Sequence, residues 1–262
     1  MLESQASGIR ILDVAPPPAD MRVSYGADQN QFGELRLPRQ GKPPFPVLMF
    51  IHGGFWRAPY DLTHAGHICS TLAAAGLATW NLEYRRAGNP GGGWPGTLDD
   101  LRAGFDFIRK LAPRYRLNPE RITLAGHSAG GHLALALAGH HPAVRRAASL
   151  AGVLDLQRAW ELHLSNDAAA GFLGGTPRQV PEHYADADPM RLPITGQQLV
   201  VHGDADDVVP PDFSRRYAAL KQSRGEDARL LMLPGAGHFD VVDPESKAWP
   251  KVQQAVMGMV AR

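Results

Sequence analysis

Residues 121–138 of this chain read RITLAGHSAGGHLALALA. The first five residues have the apolar, β-rich character of a buried strand, and the last seven have the composition of a helix. Between them lies a G-x-S-x-G pattern with Ser128 at its centre and Gly126 and Gly130 two residues to either side. A serine in so sharp a connection must take strained backbone angles, and glycines at these two positions avoid the resulting clashes. The pattern predicts a nucleophilic hydroxyl at the C-terminal edge of a sheet, although Gly and Ser also occur together in ordinary turns.

Strand and helix patterns alternate along the chain, which predicts an α/β fold with a mostly parallel central sheet and helices on both faces. An N-terminal antiparallel hairpin precedes this alternation. The predicted strands are residues 21–25, 32–37, 47–51, 77–84, 121–125, 147–153, 198–201 and 229–233. The predicted helices cover about 61–75, a segment opened at residue 97 by a capping-box-like Thr-Leu-Asp-Asp, 129–139, 213–221 and 247–260.

The prediction for domain organisation is one domain over residues 1–262. Residues 157–196 interrupt the strand–helix rhythm with scattered prolines and short helical pieces. We expect them to form a small cap-like insertion over the sheet edge, because they are too few for a domain of their own.

Composition excludes several classes of function. The 262 residues carry 27 basic and 26 acidic side chains, and the net charge is +1. With no Lys/Arg block, we expect neither nucleic-acid nor membrane binding. Cys69 is the only cysteine, and the N-terminus lacks the pattern of a signal peptide. We therefore expect a soluble, cytoplasmic protein that needs no metal or organic cofactor, and we leave open whether it is a dimer.

A serine nucleophile needs a base, and the base needs an acid that orients it. An acidic cluster follows the penultimate predicted strand, and a glycine-flanked histidine, His238, follows the last one. The order after Ser128 is therefore acid and then histidine, which is one of the known chain orders of such a triad and suits groups placed after the strands of an open parallel sheet. Asp206 is the preferred acid and Asp207 the alternative, whereas Asp204 is predicted to bond its own turn.

Acyl transfer also needs donors aimed at the oxygen that becomes negative. Residues 52–56, HGGFW, follow the first central strand, where glycines let the backbone turn its N–H groups toward the nucleophile. We expect the oxyanion hole to consist of the amides of Gly54, Phe55 and Ala129. His52 is expected to brace this loop by hydrogen bonds.

These segments together resemble the α/β-hydrolase superfamily from residue 47 to the C-terminus. Residues 52–56 are similar to the HGGxW signature of kynurenine formamidases (arylformamidases) and related small esterases. Residues 126–132, GHSAGGH, and 237–242, GHFDVV, resemble the same group, and residues 202–210 resemble its acid loop.

The resemblance implies an α/β-hydrolase fold with Ser128 as nucleophile, Asp206 as acid and His238 as base. The leading hypothesis is a serine hydrolase that cleaves short-chain acyl esters through an acyl-enzyme. The alternatives are an amide hydrolase of the arylformamidase type and a ligand-binding protein without catalysis on the same fold. In each case the expected partner is a small molecule, with specificity set by the shape of the pocket.

Three further aromatic residues lie in or beside the loops of the predicted site. Trp56 and Trp94 either wall a substrate pocket or cap the core as large aromatic residues do. His127, directly before Ser128, is a third candidate for the pocket, although local packing explains it as well.

Overall fold

The computed structural model describes residues 11–260, and an eight-stranded sheet forms its centre. The strands in chain order are β1 (Met21–Ser24), β2 (Phe32–Arg36), β3 (Phe45–Ile51), β4 (Ala78–Leu82), β5 (Leu117–His127), β6 (Arg146–Leu150), β7 (Gln197–Gly203) and β8 (Ala228–Leu233).

The strand order across the sheet is β1-β2-β4-β3-β5-β6-β7-β8. β1 and β2 form an antiparallel hairpin, and β2 joins the sheet antiparallel to β4. All other neighbours are parallel. The C-terminal ends of β3 through β8 therefore meet at one edge, where loops from distant parts of the sequence come together. The predicted mostly parallel sheet with its N-terminal hairpin is confirmed.

Helices separate the parallel strands as the sequence predicted. They are α1 (Gly66–Ala74), α2 (Gly96–Tyr115), α3 (Ala129–His140), α4 (Leu156–Glu161), α5 (Ala168–Leu173), α6 (Pro181–Ala187), α7 (Asp212–Ser223) and α8 (Trp249–Val260). α1 begins later than predicted, because a short 3-10 turn at Thr63–Ala65 precedes it. β5 begins earlier than predicted, because Leu117 already pairs with Phe45.

The sheet separates two apolar cores. Successive side chains of β3 point alternately into one core and the other. Val47 and Met49 point to the core shared with α2 and α3. Leu48 and Phe50 point to the opposite core, which α1 and α8 cover. Because all four side chains are fully buried, this strand is apolar without interruption, as expected for a central parallel strand.

The predicted capping box at residues 97–100 is wrong. α2 begins one residue earlier, at Gly96, without a side-chain cap. The Thr97 hydroxyl instead donates to the carbonyl oxygen of Arg85 at 2.7 Å. The Asp100 carboxylate accepts from the amide and the guanidinium of Arg85 and from Gln31. Both polar side chains thus form hydrogen bonds with residues outside their own helix instead of capping it.

Residues 157–196 contain most of α4 together with α5 and α6, and they pack beside the C-terminal edge of the sheet. The Trp56 and Phe172 rings stack with their centroids 5.0 Å apart. His132 of α3 bonds the carbonyl oxygen of Ala187 at 3.0 Å. None of the helices within residues 11–260 combines the length and the apolar composition that crossing a bilayer requires.

Candidate active site

Ser128 occupies a strained turn between β5 and α3. Its φ of 56° and ψ of −121° lie outside the regions that L-residues ordinarily adopt. A Cβ on Gly126 would lie 2.1 Å from the carbonyl oxygen of Gly130, and one on Gly130 would lie 2.0 Å from that of Ile51. The two glycines are therefore required sterically, for the reason predicted from the sequence.

Hydrogen bonds hold this turn from both sides. The Ser128 amide donates to the carbonyl oxygen of Leu150 at the end of β6, at 2.9 Å. The Ser128 carbonyl accepts from the amides of Gly131 and His132 in the first turn of α3. The strained residue is thereby anchored to a neighbouring strand and to the following helix.

The Asp206 carboxylate is buried in the loop after β7 and accepts four hydrogen bonds. Oδ2 lies 2.8 Å from Nδ1 of His238 and 3.0 Å from Nε2 of His202. Oδ1 accepts from the amides of Val208 and Val209. Burial alone would raise the pKa of Asp206, but the hydrogen bonds from the two histidines outweigh it and hold the pKa well below its ordinary value. Asp206 is therefore ionised at neutral pH.

The other two acids of this loop do not contact His238. Asp207 is exposed. The Asp204 carboxylate accepts from the amide of Gly235 at 2.6 Å, in the loop that follows β8. The prediction that Asp204 bonds its own turn is thus wrong, since its side chain joins two neighbouring loops.

His238 lies in the loop after β8 with only 5% of its surface exposed. Asp240 fixes the start of this loop by accepting from the Gly237 amide at 2.7 Å. The His127 ring packs against the His238 ring with centroids 4.6 Å apart, and Nε2 of His127 donates to the His238 carbonyl oxygen at 3.0 Å. The residue before Ser128 therefore supports the histidine loop directly.

The loop after β3 lies against the turn that contains Ser128. A Cβ on Gly53 would approach the Ser128 Cβ to 3.0 Å. Gly54, Phe55 and Trp56 all have positive φ, at 107°, 49° and 59°. Positive φ angles cost conformational free energy at the two non-glycine residues, so the surrounding structure must hold the backbone of this loop in place.

Within residues 11–260, the N–H groups of Gly54, Phe55 and Ala129, the three predicted for the oxyanion hole, donate no hydrogen bond. The neighbouring amides of Gly53 and Trp56 share this property, so it is compatible with the prediction without singling out the three. The amide of Arg57, which comes next in the chain, closes the turn onto the Gly54 carbonyl oxygen at 3.0 Å. The first two donors are thus presented by a closed loop and the third by the first residue of α3.

His52 braces this loop, as expected. Its Nδ1 lies 2.8 Å from the carbonyl oxygen of Gly53, and its Nε2 lies 3.1 Å from Oε1 of Glu83. The Tyr84 ring stacks on the imidazole at a centroid distance of 4.5 Å, and the Tyr84 hydroxyl donates to the His52 carbonyl oxygen.

The three candidate pocket residues are all buried. Trp56 donates from its indole N–H to Nδ1 of His132, and Trp94 donates to Asp186. Burial lowers the pKa of His127 far below its ordinary value, so this ring is neutral. These side chains offer little free surface, and their role in a substrate pocket stays a prediction.

Two residues that support the site were missed by the sequence reasoning, His202 and Glu83. His202 lies near the end of β7, where Ser214 and the Val209 carbonyl complete its hydrogen bonds. Each is a polar residue within or directly after a buried apolar strand, and this is the signal that could have revealed it, because a buried polar group needs a partner. Within residues 11–260, no three His, Cys, Asp or Glu side chains are grouped to hold a metal ion.

Comparison with known proteins places the chain in a family. The sequence model of the BD-FAE family matches residues 34–220, which is more than half of the chain. The chain belongs to the BD-FAE family. This BD-FAE family member is 30% identical over 258 residues to Esterase LipC of Mycobacterium tuberculosis, covering 85% of this chain and 60% of LipC. It is 25% identical over 262 residues to a probable isoprenylcysteine alpha-carbonyl methylesterase of rice, covering 91% of this chain and 63% of the rice protein. The chain thus spans about three fifths of these relatives.

Solved structures show the same fold for this BD-FAE family member. A truncated carbohydrate esterase from gut microbiota matches with a TM-score of 0.80 at 21% identity, covering 95% of this chain and all of the other. An esterase of Pyrobaculum calidifontis matches with a TM-score of 0.78 at 19% identity, covering 97% of this chain and 89% of the other. The fold is the α/β-hydrolase fold, as predicted. The finer resemblance to kynurenine formamidases stays a prediction.

Proposed function

We propose that the protein is a serine carboxylesterase that cleaves short-chain acyl esters. The observation that carries this proposal is the buried Asp206–His238 pair in the loops beside the strained turn of Ser128. A carboxylate with this orientation holds the imidazole with its second nitrogen free to take a proton. The naming of several relatives as esterases supports the same reaction.

The reaction proceeds in two halves through an acyl-enzyme. Ser128 Oγ attacks the carbonyl carbon of the ester while its proton passes to Nε2 of His238, and the amides of Gly54, Phe55 and Ala129 stabilise the negative oxygen. The C–O bond to the alcohol then breaks, and the alcohol leaves with the proton from His238. Water, deprotonated by His238, then attacks the acyl group. The acyl–Oγ bond breaks as His238 returns the proton to Ser128 Oγ, which releases the acid and the free hydroxyl.

The insertion at residues 157–196 is proposed to border the acyl side of the site and to act with the rest of residues 1–262 as one domain. Its Phe172 packs on Trp56, which directly follows two of the proposed oxyanion donors. We therefore expect substitutions in the insertion to alter the acyl-binding region through Phe172 and Trp56, without a direct contact to the proposed catalytic residues.

Replacing the nucleophile tests the proposal. We expect Ser128→Ala to lower kcat for p-nitrophenyl acetate and butyrate by roughly 10⁴-fold or more, since only binding and the oxyanion hole remain. Ser149→Ala is a matched control, because this serine is also buried, one strand away on β6. An unchanged rate in Ser128→Ala, or equal losses in the two variants, would contradict the assignment.

The bond that is cleaved is tested separately. We expect simple p-nitrophenyl esters to be turned over with a higher kcat/KM than N-formylkynurenine by the same preparation. A preference for the formamide would replace the ester proposal with the arylformamidase alternative and leave the roles of the three residues unchanged.

A further inference from the structure

Glu83 carries a buried carboxylate directly after β4, and the catalytic steps above do not use it. Its side chain is 2% exposed. Oε1 lies 3.1 Å from Nε2 of His52 and 2.8 Å from Nη1 of Arg86, and Oε2 accepts from the Leu62 amide at 3.0 Å. The amide of Tyr84 also donates to Oε1 at 3.1 Å, so Oε1 has three polar neighbours and Oε2 has one.

Glu83 is a carboxylate for reasons that do not depend on His52, because the Arg86 guanidinium lies 2.8 Å from Oε1 and the amides of Leu62 and Tyr84 donate to its oxygens. Burial alone would raise its pKa, but attraction and hydrogen bonding from His52, together with the charge of Arg86, bring the pKa below its ordinary value. Its oxygens therefore accept hydrogen bonds and donate none.

The hydrogen-bond partners of His52 are the geometric basis for inferring where its protons lie. The Gly53 carbonyl at Nδ1 and the Glu83 carboxylate at Nε2 are both acceptors without a proton to give. Both ring nitrogens can be satisfied only if each carries a proton, and such a ring is an imidazolium cation. The other titratable groups that face the ring are Arg86, Asp61, His64 and Tyr84.

The neighbouring His64 is neutral by contrast. Burial is the main cause that lowers its pKa to about 3, and the charge of His52 adds to it. His64 therefore contributes no charge beside the loop that follows β3.

We propose that Glu83 is a positioning residue that holds His52 as an imidazolium, and that this cation orients and polarises the Gly53–Gly54 peptide of the oxyanion hole. The inference rests on the proposed esterase function, because it assigns a role within the same site. Nδ1–H of His52 bonds the carbonyl oxygen of the peptide whose N–H belongs to Gly54. That N–H is one of the three proposed oxyanion donors.

Two physical effects follow from this arrangement. A hydrogen bond to a peptide oxygen polarises the peptide and strengthens its own N–H as a donor. A peptide between two glycines also rotates easily, and the bond from His52 to its carbonyl oxygen restricts the orientation of the Gly54 N–H. Since the fixed charge lies in a buried, low-dielectric region, it favours the negative oxygen of the transition state over the neutral ester.

The test is Glu83→Gln, which keeps the shape and removes the charge. We expect kcat for p-nitrophenyl acetate to fall about 10- to 100-fold with KM within about twofold, less than the loss of a whole oxyanion donor. Nitrogen NMR of ring-labelled His52 should show two protonated nitrogens in the wild type at neutral pH and one in the variant.

Asp100→Asn is the matched control. Asp100 is a second buried carboxylate paired with a neighbouring arginine, Arg85, but it contacts Gln31 and not His52. The Asp100→Asn substitution should lower the melting temperature and leave kcat within about twofold of the wild type. Equal losses of kcat in the two variants would reduce Glu83 to a structural role and overturn the proposal.

The NMR measurement decides the matter independently of catalysis. A singly protonated His52 in the wild type would overturn the proposal even if Glu83→Gln were too unstable to assay. A wild type without activity on any ester, but with His52 doubly protonated, would instead overturn the proposed function and confine the inference to the charge state of the loop.

Discussion

At Gly130 the nucleophile turn and the end of β3 approach each other so closely that no side chain fits. The nearest atom to an added Cβ would be the Ile51 carbonyl oxygen at 2.0 Å, and the His52 carbonyl oxygen would lie at 2.5 Å. Both contacts are with backbone, which cannot rotate away as a flexible side chain can. We expect Gly130→Ala to lower the free energy of unfolding by about 3 kcal/mol or more, at the upper end of overpacking effects.

Urea denaturation of Gly130→Ala beside Gly258→Ala measures this steric cost. Gly258 is exposed in α8, and a Cβ there would meet no atom within 4 Å. This control should gain about 0.5–1 kcal/mol, because alanine loses less entropy than glycine on forming a helix. Wild-type stability in Gly130→Ala would mean that the turn can relax, contrary to the packing described above.

Among the elements of the fold, the insertion is bound to the loop after β3 by hydrogen bonds from Arg57, in addition to the stacking of Phe172 on Trp56. The guanidinium of Arg57 donates to the Ser165 hydroxyl at 3.3 Å, to the Asn166 carbonyl oxygen at 3.1 Å and to the Ser165 carbonyl oxygen. The segment that Arg57 contacts contains four non-glycine residues with positive φ, namely His163, Ser165, Asn166 and Asp167. Such a backbone persists only when its surroundings enforce it.

Arg57→Ala should release this segment. We expect a loss of about 2 kcal/mol in unfolding free energy, typical for hydrogen bonds from a charged group, and faster limited proteolysis within residues 163–167. Arg158→Ala serves as the control, because Arg158 of α4 pairs with the exposed Glu161 at 3.5 Å. If the protease cleaved both variants at the wild-type rate, the hydrogen bonds of Arg57 would not be what orders residues 163–167.

The same insertion carries a pH-dependent contact at Asp188, directly after α6. Burial is the main cause that raises its pKa to about 7, with Asp155 adding repulsion and Arg191 opposing the rise. The folded protein therefore holds a proton that the unfolded chain releases near pH 4. Stability linked to Asp188 is full below pH 4 and is lost as the pH rises through about 7.

Asp188→Asn removes this titration. The asparagine side chain has only one acceptor oxygen, so the backbone N–H of either Leu156 or Met190 loses its partner. The wild type should therefore be the more stable protein at pH 4, and its advantage should shrink toward pH 7. Chemical denaturation at several pH values checks this, with the exposed Asp99→Asn as control. A constant difference between wild type and Asp188→Asn across this range would contradict it.

At the scale of the whole molecule, the sequence predicted what depends on local patterns. The uninterrupted apolar run of β3 and the glycine spacing around Ser128 are such local patterns, and the structure confirms the parallel sheet and the strained turn that they predicted. Strand ends were less certain, since pairing between distant residues extends β5 back to Leu117.

Side-chain partners across the fold could not be predicted in the same way. Asp206 and Asp207 are neighbours of identical chemistry, and only the path of the loop turns one carboxylate toward His238. Thr97 matched a capping pattern but bonds Arg85, because the chain beyond β4 passes within reach. His202 supports Asp206 from the strand before it, a contact that depends on the three-dimensional course of the loop.

The close approach of Gly130 to the Ile51 carbonyl has a consequence for how such a protein can change. In the proposed esterase, the Ser128 turn and the loop after β3 share one backbone junction, so a shift of either to accommodate a bulkier substrate would disturb the other. We therefore expect new acyl preferences to arise away from this junction, in segments such as the one that Arg57 contacts. Directed evolution of the proposed esterase activity should accordingly accumulate its selected substitutions between residues 157 and 196.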